Sequence, residues 1–266
     1  MQDYHMHTYF SADGLMDTFE ACQQAIKMGL KEIAFTEHVD FDPNDLGYEF
    51  LNFEKYTASI HEAKSLFQKN LDISQGLEIG IQSYFSSEID AYLADKDVDF
   101  VIGSIHMVDH YDLYSGEYFI DRNESECIKG YIKETTAAVE CCRGFDILGH
   151  LDLVTRFTKY FEKIEYPDYA TEMENLFKIL IGKQIGIEIN TSGLRHSEFT
   201  NPAPHILRHY FELGGRLLTL GSDAHKVENI AYGFDKMIAL ALEIGFKEYY
   251  VYKKRNPSPV KITALR

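Results

Sequence analysis

Along the chain, short β-rich runs alternate with longer stretches whose apolar positions recur every three to four residues. The β-like runs fall at Asp3–His7, Glu32–Thr36, Leu71–Leu77, Asp99–Ser104, Phe145–Gly149, Gly186–Asn190 and Arg216–Gly221. Helical periodicity marks Asp17–Met28, Phe53–Gln68, Glu124–Cys142, Tyr169–Gly182 and Ala203–Leu213 between them. In the first helix, Phe19, Cys22 and Ile26 line one face, and Asp17 with Glu20 reads as a capping box. Gly29 suits the left-handed residue that stops it. Repeated strand–helix units with right-handed crossovers imply a parallel sheet, either open or closed into a barrel. A further β-like run at Tyr249–Lys253 has no place in that scheme. Barrels of this length form one unit, so a single domain over residues 1–266 is expected.

If the chain is a barrel, its chemistry belongs at the C-terminal ends of the strands. Of 11 histidines, His5, His7, His38, His106, His150 and His225 sit at the downstream end of a β-like run. Glu78 closes the third run and Asp223 follows the seventh. The local sequences are Asp-Tyr-His-Met-His, Phe-Thr-Glu-His, Gly-Leu-Glu, Gly-Ser-Ile-His, Gly-His-Leu-Asp and Gly-Ser-Asp-Ala-His. Strand alternation puts His5 and His7 on one side, and likewise Asp223 and His225. Imidazole with carboxylate suits Zn²⁺, Fe²⁺ or Mn²⁺, and the donors are too many for one ion. His61, His205 and His209 lie on helices and read as solvated side chains, while His110 and His196 stay open.

Composition narrows the class of partner. A formal net charge of −16 leaves no basic surplus for a nucleic-acid partner. A small anionic substrate is compatible, because bound cations reverse the sign locally. No run of apolar residues reaches membrane-spanning length, and no secretory leader is read at the N-terminus. Cys22, Cys127, Cys141 and Cys142 form no C-x-x-C pair, which points to reduced thiols and a cytoplasmic protein.

The ordered motifs resemble the polymerase-and-histidinol-phosphatase (PHP) superfamily from Asp3 to His225, and within it the histidinol-phosphate phosphatases. GSIHMVD at 103–109, GHLDL at 149–153, INTSGLR at 189–195 and LGSDAH at 220–225 carry the likeness. The resemblance implies a distorted (β/α)7 TIM-like barrel with three divalent metal ions at the C-terminal mouth of the strands. It implies a first metal held by His5, His7, Glu78 and Asp223, and a second held by Glu78, His106 and His150. The third would take Asp13, His38 and His225; many superfamily members carry histidine where this chain has Asp13.

The implied activity is hydrolysis of L-histidinol phosphate in histidine biosynthesis. A hydroxide bridging two metals through Glu78 would attack phosphorus in line, with Asp223 and His225 in the same catalytic group. Three divalent ions against the carboxylates of Asp13, Glu78 and Asp223 leave the site positive, as a phosphate dianion requires. Arg156 and Arg195 are candidates for phosphate contacts, since guanidinium forks match phosphate oxygens. The general acid stays open between a metal-bound water and His225.

The alternatives are a phosphatase acting on another small phosphomonoester or on phosphotyrosine, an amidohydrolase or deaminase, a nuclease, and a non-catalytic module. Glu78 and the Asp223-x-His225 pair fit the phosphatases better than an amidohydrolase. The acidic balance counts against a nuclease, and nine competent ligand positions count against a module that has lost its site.

Overall fold

The computed structural model describes residues 1–160 and 166–263. Seven parallel strands lie in sequential order, each followed by a helix. They are β1 (Gln2–Asp3), β2 (Glu32–Val39), β3 (Asp72–Gly80), β4 (Phe100–Ser104), β5 (Ile147–Leu148), β6 (Gly186–Asn190) and β7 (Leu218–Gly221). The helices are α1 (Thr18–Lys27), α2 (Phe53–Phe67), α3 (Ser86–Ala94), α4 (Glu124–Cys141), α5 (Ala170–Lys183), α6 (Pro204–Glu212) and α7 (Phe234–Ile244). The five expected helices are present; α3 and α7 complete the set.

The sheet closes on itself. β1 pairs with β2 only at Gln2 and Asp3, and the chain then turns to meet the end of β7. Tyr4 N–H donates to Leu220 O at 2.9 Å, Asp223 N–H to His5 O at 2.8 Å, and His7 N–H to Ala224 O at 2.9 Å. The expected strand Asp3–His7 is therefore split between two neighbours, because closure obliges the first strand to bridge the seam. Glu78, expected at the end of its strand, lies inside β3, which runs on to Gly80.

The Tyr249–Lys253 run belongs to an antiparallel hairpin, β8 (Glu248–Lys253) with β9 (Asn256–Lys261). Lys254 and Arg255 both have positive φ, as a tight two-residue hairpin turn needs. This hairpin covers the N-terminal mouth of the barrel. Tyr252 N–H donates to Tyr4 Oη, Lys253 Nζ reaches Glu32, and Arg255 Nε pairs with Asp146 at 2.6 Å. The opposite mouth is left for chemistry. No helix among the described residues is long and apolar enough to cross a membrane.

Helix α4 shows how local sequence and packing agree. Cys127, Ile128, Tyr131, Ile132, Thr135, Ala138 and Val139 recur at helical spacing and are buried. Asn123 caps it by accepting from Glu126 N–H at 3.0 Å, and Glu126 accepts from Asn123 N–H at 2.8 Å. In α1, Asp17 accepts from Phe19 and Glu20 N–H, while the reciprocal capping box is seen at α4. Asn123→Ala removes one half of that box and is expected to cost about 1 kcal/mol. A fall in melting temperature of about 2–4 °C would show it; an unchanged melt would mean the box adds nothing.

Candidate functional site

Glu78 stands at the centre of the open mouth and is fully buried. Its Oε2 lies 3.1 Å from His5 Nε2, 3.3 Å from His7 Nε2 and 3.2 Å from His38 Nδ1. Its Oε1 lies 2.9 Å from His150 Nε2 and 3.4 Å from His106 Nε2, and accepts from Ser104 Oγ. One carboxylate therefore faces two separate sets of imidazoles, one with each oxygen. Asp223 Oδ1 lies 3.5 Å from His7 Nε2, 3.8 Å from His5 Nε2 and 3.5 Å from His225 Nδ1. Asp13, on the loop after β1, reaches His225 at 3.0 Å and His38 at 3.7 Å. All nine candidate ligands are brought together.

Local geometry explains how. The seam hydrogen bonds fix His5 and His7 against Asp223, whose φ of 53° is a left-handed conformation uncommon for aspartate. The loop bearing Asp13 turns back tightly at Gly14, where a Cβ would sit 1.8 Å from the Thr8 carbonyl oxygen. Buried Glu37 anchors the same loop by accepting from Thr8 N–H, Thr8 Oγ and Ser11 Oγ. Ser11 Oγ in turn accepts from His38 N–H at 3.0 Å.

Carboxylates and imidazoles buried side by side dominate the electrostatics of the site. Burial would raise the Glu78 and Asp223 carboxyls, but the surrounding imidazoles hold both well below the ordinary range. Burial would lower His5, yet Glu188, Glu78 and Asp223 hold it well above its usual value. His7 is pushed down to about 3 by burial and by His38 and His225. His5 Nε2, His7 Nε2, His38 Nδ1 and Glu78 Oε2 are buried and make no hydrogen bond among the described residues. Four buried polar atoms left in one place fit ion ligation, which would satisfy them together.

Four overlapping donor groups could hold metal ions: His5–His7–Asp223, His5–Glu78–His150, His7–His38–His225 and His38–Asp40–His106. The first holds three of the four donors expected for one ion, without Glu78, and Asp13 is in none of the four. Asp40, which sequence reasoning missed, enters the last; its Oδ1 lies 3.2 Å from His106 Nδ1.

A cavity of about 520 Å³ opens beside the cluster. Arg156 and Arg195 both line it. Arg156 donates to Tyr114 Oη at 2.9 Å, Ser192 Oγ at 2.7 Å and Asn201 Oδ1 at 3.3 Å. Arg195 donates to the carbonyls of Ser222 and Asp223 at 2.7 and 2.9 Å, so it also holds the segment that presents Asp223. Tyr114 was not foreseen; its signal is only an aromatic in a loop. Asp40, Asp45 and Asp112 form a second, acidic group in the lining. Asp45 is pushed up to about 7 by burial and then by Asp40. His196 also lines the cavity, whereas His110 pairs with Asp42 at 2.6 Å. His61, His205 and His209 lie on α2 and α6, outside the lining.

A closed parallel barrel with imidazoles and carboxylates converging at its C-terminal mouth defines an α/β-barrel enzyme built to gather metal ions. The PHP domain model matches residues 3–192. A histidinol-phosphatase of Lactococcus lactis is 31% identical over 92% of this chain and 92% of its own length. A probable histidinol-phosphatase of Clostridium acetobutylicum is 29% identical over 95% of this chain and 97% of its own. A crystal structure of histidinol phosphate phosphatase from Lactococcus lactis, complexed with zinc, L-histidinol and phosphate, superposes with a TM-score of 0.86. It is 29% identical and covers 97% of this chain and 98% of its own. This chain belongs to the PHP family.

Proposed function

We propose that this chain is a metal-dependent phosphomonoesterase that hydrolyses L-histidinol phosphate to L-histidinol and phosphate. The observation that carries the reading is the division of the cavity beside the cluster. Arg156, Arg195 and Tyr114 gather near Asp223, where a phosphate would meet the metals. Asp40, Asp45 and Asp112 gather near His106, where a cationic amine or imidazolium would be favoured. A substrate with a phosphate at one end and a base at the other matches both. The L-histidinol and phosphate held by the Lactococcus lactis structure are the two halves of such a molecule.

His5, His7, Glu78 and Asp223 would hold one metal, and Glu78 with His106 and His150 a second. Asp13, His38 and His225 would hold a third. The donors suit zinc, iron or manganese. When bound, such ions supply Lewis-acid charge and an acidified water. The chain's own part is positioning. Glu78 offers each imidazole set a different oxygen, and Arg156 is fixed by three partners that leave one Nη1 hydrogen to meet a phosphate oxygen. Tyr114, accepting from Arg156, keeps its own hydroxyl hydrogen for a substrate oxygen. The four free cysteines support a cytoplasmic place for this activity.

The test is metal content of the purified chain together with phosphate release from histidinol phosphate, phosphotyrosine and simple sugar phosphates. Bound divalent metal with the highest kcat/KM on histidinol phosphate is the expected result. Equal turnover of all these esters would sink the substrate assignment, and a chain that takes up no divalent metal would sink the mechanism.

A further inference from the structure

Glu188 lies on β6 in the run Ile-Glu-Ile-Asn, is 1% exposed, and has none of the roles assigned above. Its Oε1 accepts from His5 Nδ1 at 2.7 Å. Its Oε2 accepts from the His150 backbone N–H at 3.0 Å and from Asn190 Nδ2 at 2.9 Å. Both oxygens are thus used, by donors on three different segments of the barrel. A buried carboxylate is costly unless it is compensated in this way.

We infer that Glu188 is a positioning residue that fixes His5 with Nε2 turned to the metal centre, and so sets the affinity of the metal that His5 helps to hold. The inference rests on the metal reading above. A neutral imidazole carries one N–H, and a carboxylate on Nδ1 places it there, leaving the Nε2 lone pair for a ligand. His5 Nε2 is buried without a hydrogen-bond partner, 3.1 Å from Glu78 Oε2. A carboxylate behind a ligating imidazole also raises its basicity.

The neighbouring strand makes room for the pair. At Gly221 on β7, a Cβ would come 2.1 Å from Glu188 Oε1 and 2.5 Å from His5 Cβ. Any side chain there would separate the two residues. His7 lacks this support: the group beside its Nδ1 is the neutral Ser11 hydroxyl, at 3.4 Å. The anionic backing of His5 is therefore particular to that histidine and not common to the pair.

The test compares zinc affinity of the wild-type chain and Glu188→Gln by competition with a chelating indicator. It is paired with the low-field proton spectrum of the zinc-loaded proteins. One zinc per chain is expected to bind about 10–100-fold more weakly in the variant, with the remaining zinc unchanged. The low-field His5 Nδ1–H signal should be lost or shifted upfield, and the metal-free melting temperature should stay close to wild type. Superimposable competition curves for a wild type that binds zinc would overturn the role of Glu188. A wild type that binds no zinc would instead overturn the metal reading, and this inference with it. Glu188→Asp keeps the charge but withdraws it by one methylene, and serves as the same test should the glutamine variant fail to fold.

Discussion

Glu78→Gln is expected to lower kcat/KM for a phosphomonoester by about 10³-fold or more and to reduce bound metal. The substitution preserves shape and removes the charge that five imidazoles surround. An amide can offer only one oxygen, so the link between the His5–His7 side and the His106–His150 side is broken. A glutamine variant with full metal content and near wild-type kcat/KM would remove Glu78 from the centre of the site.

The metal-free protein should report the same change through stability, with a definite pH dependence. Glu78 is held well below its usual 4.5, so its favourable interactions are present above that pH and fade as pH falls through the folded value. His5 and His106 are held well above 6.5 despite burial, His5 by Glu188 and then Glu78, and His106 by Glu78 first. Their contribution is fully present below pH 6.5 and fades as pH rises through the folded values. The two windows overlap between about pH 4.5 and 6.5. Urea unfolding of metal-free Glu78→Gln should therefore show a larger deficit against wild type at pH 5.5 than at pH 9.

The two kinds of signal in this sequence had different reach. Strand order and the candidate donors, Asp13 excepted, were legible because they follow from local periodicity: a β-like run, then His38, His106 or His150 at its downstream end. The H-x-H and D-x-H pairs needed only strand alternation to be read as converging, and His5 and His7 are both fully buried with rings 5.0 Å apart. Glu188 and Asp40 were not found, because what matters is their distance across the barrel to His5 and His106. A glutamate in an otherwise apolar Ile-Glu-Ile-Asn strand was the available sign. Asp3–His7 was read as one strand because closure of the seam is a long-range event between residues more than two hundred apart. The support that Arg195 gives to the Asp223 segment was equally hidden, since its acceptors are backbone carbonyls that carry no sequence signature.

That dual tie of Arg195 makes Arg156 the cleaner probe of phosphate binding. Arg156 touches Tyr114, Ser192 and Asn201, none of which is among the nine candidate ligands. These bonds use one Nη1 and both Nη2 hydrogens, which leaves one Nη1 hydrogen for a phosphate oxygen. Arg156→Ala is expected to lower kcat/KM by about 10²–10³-fold while metal content stays at the wild-type value. By contrast, Arg195→Ala frees the carbonyls of Ser222 and Asp223 and should lower metal retention as well as activity. Tyr114→Phe should cost about 10-fold alone and much less in the Arg156→Ala background, because the two groups act as a hydrogen-bonded unit. Fully additive losses would mean that Tyr114 and Arg156 act separately. An unchanged kcat/KM in Arg156→Ala would place the phosphate elsewhere in the cavity.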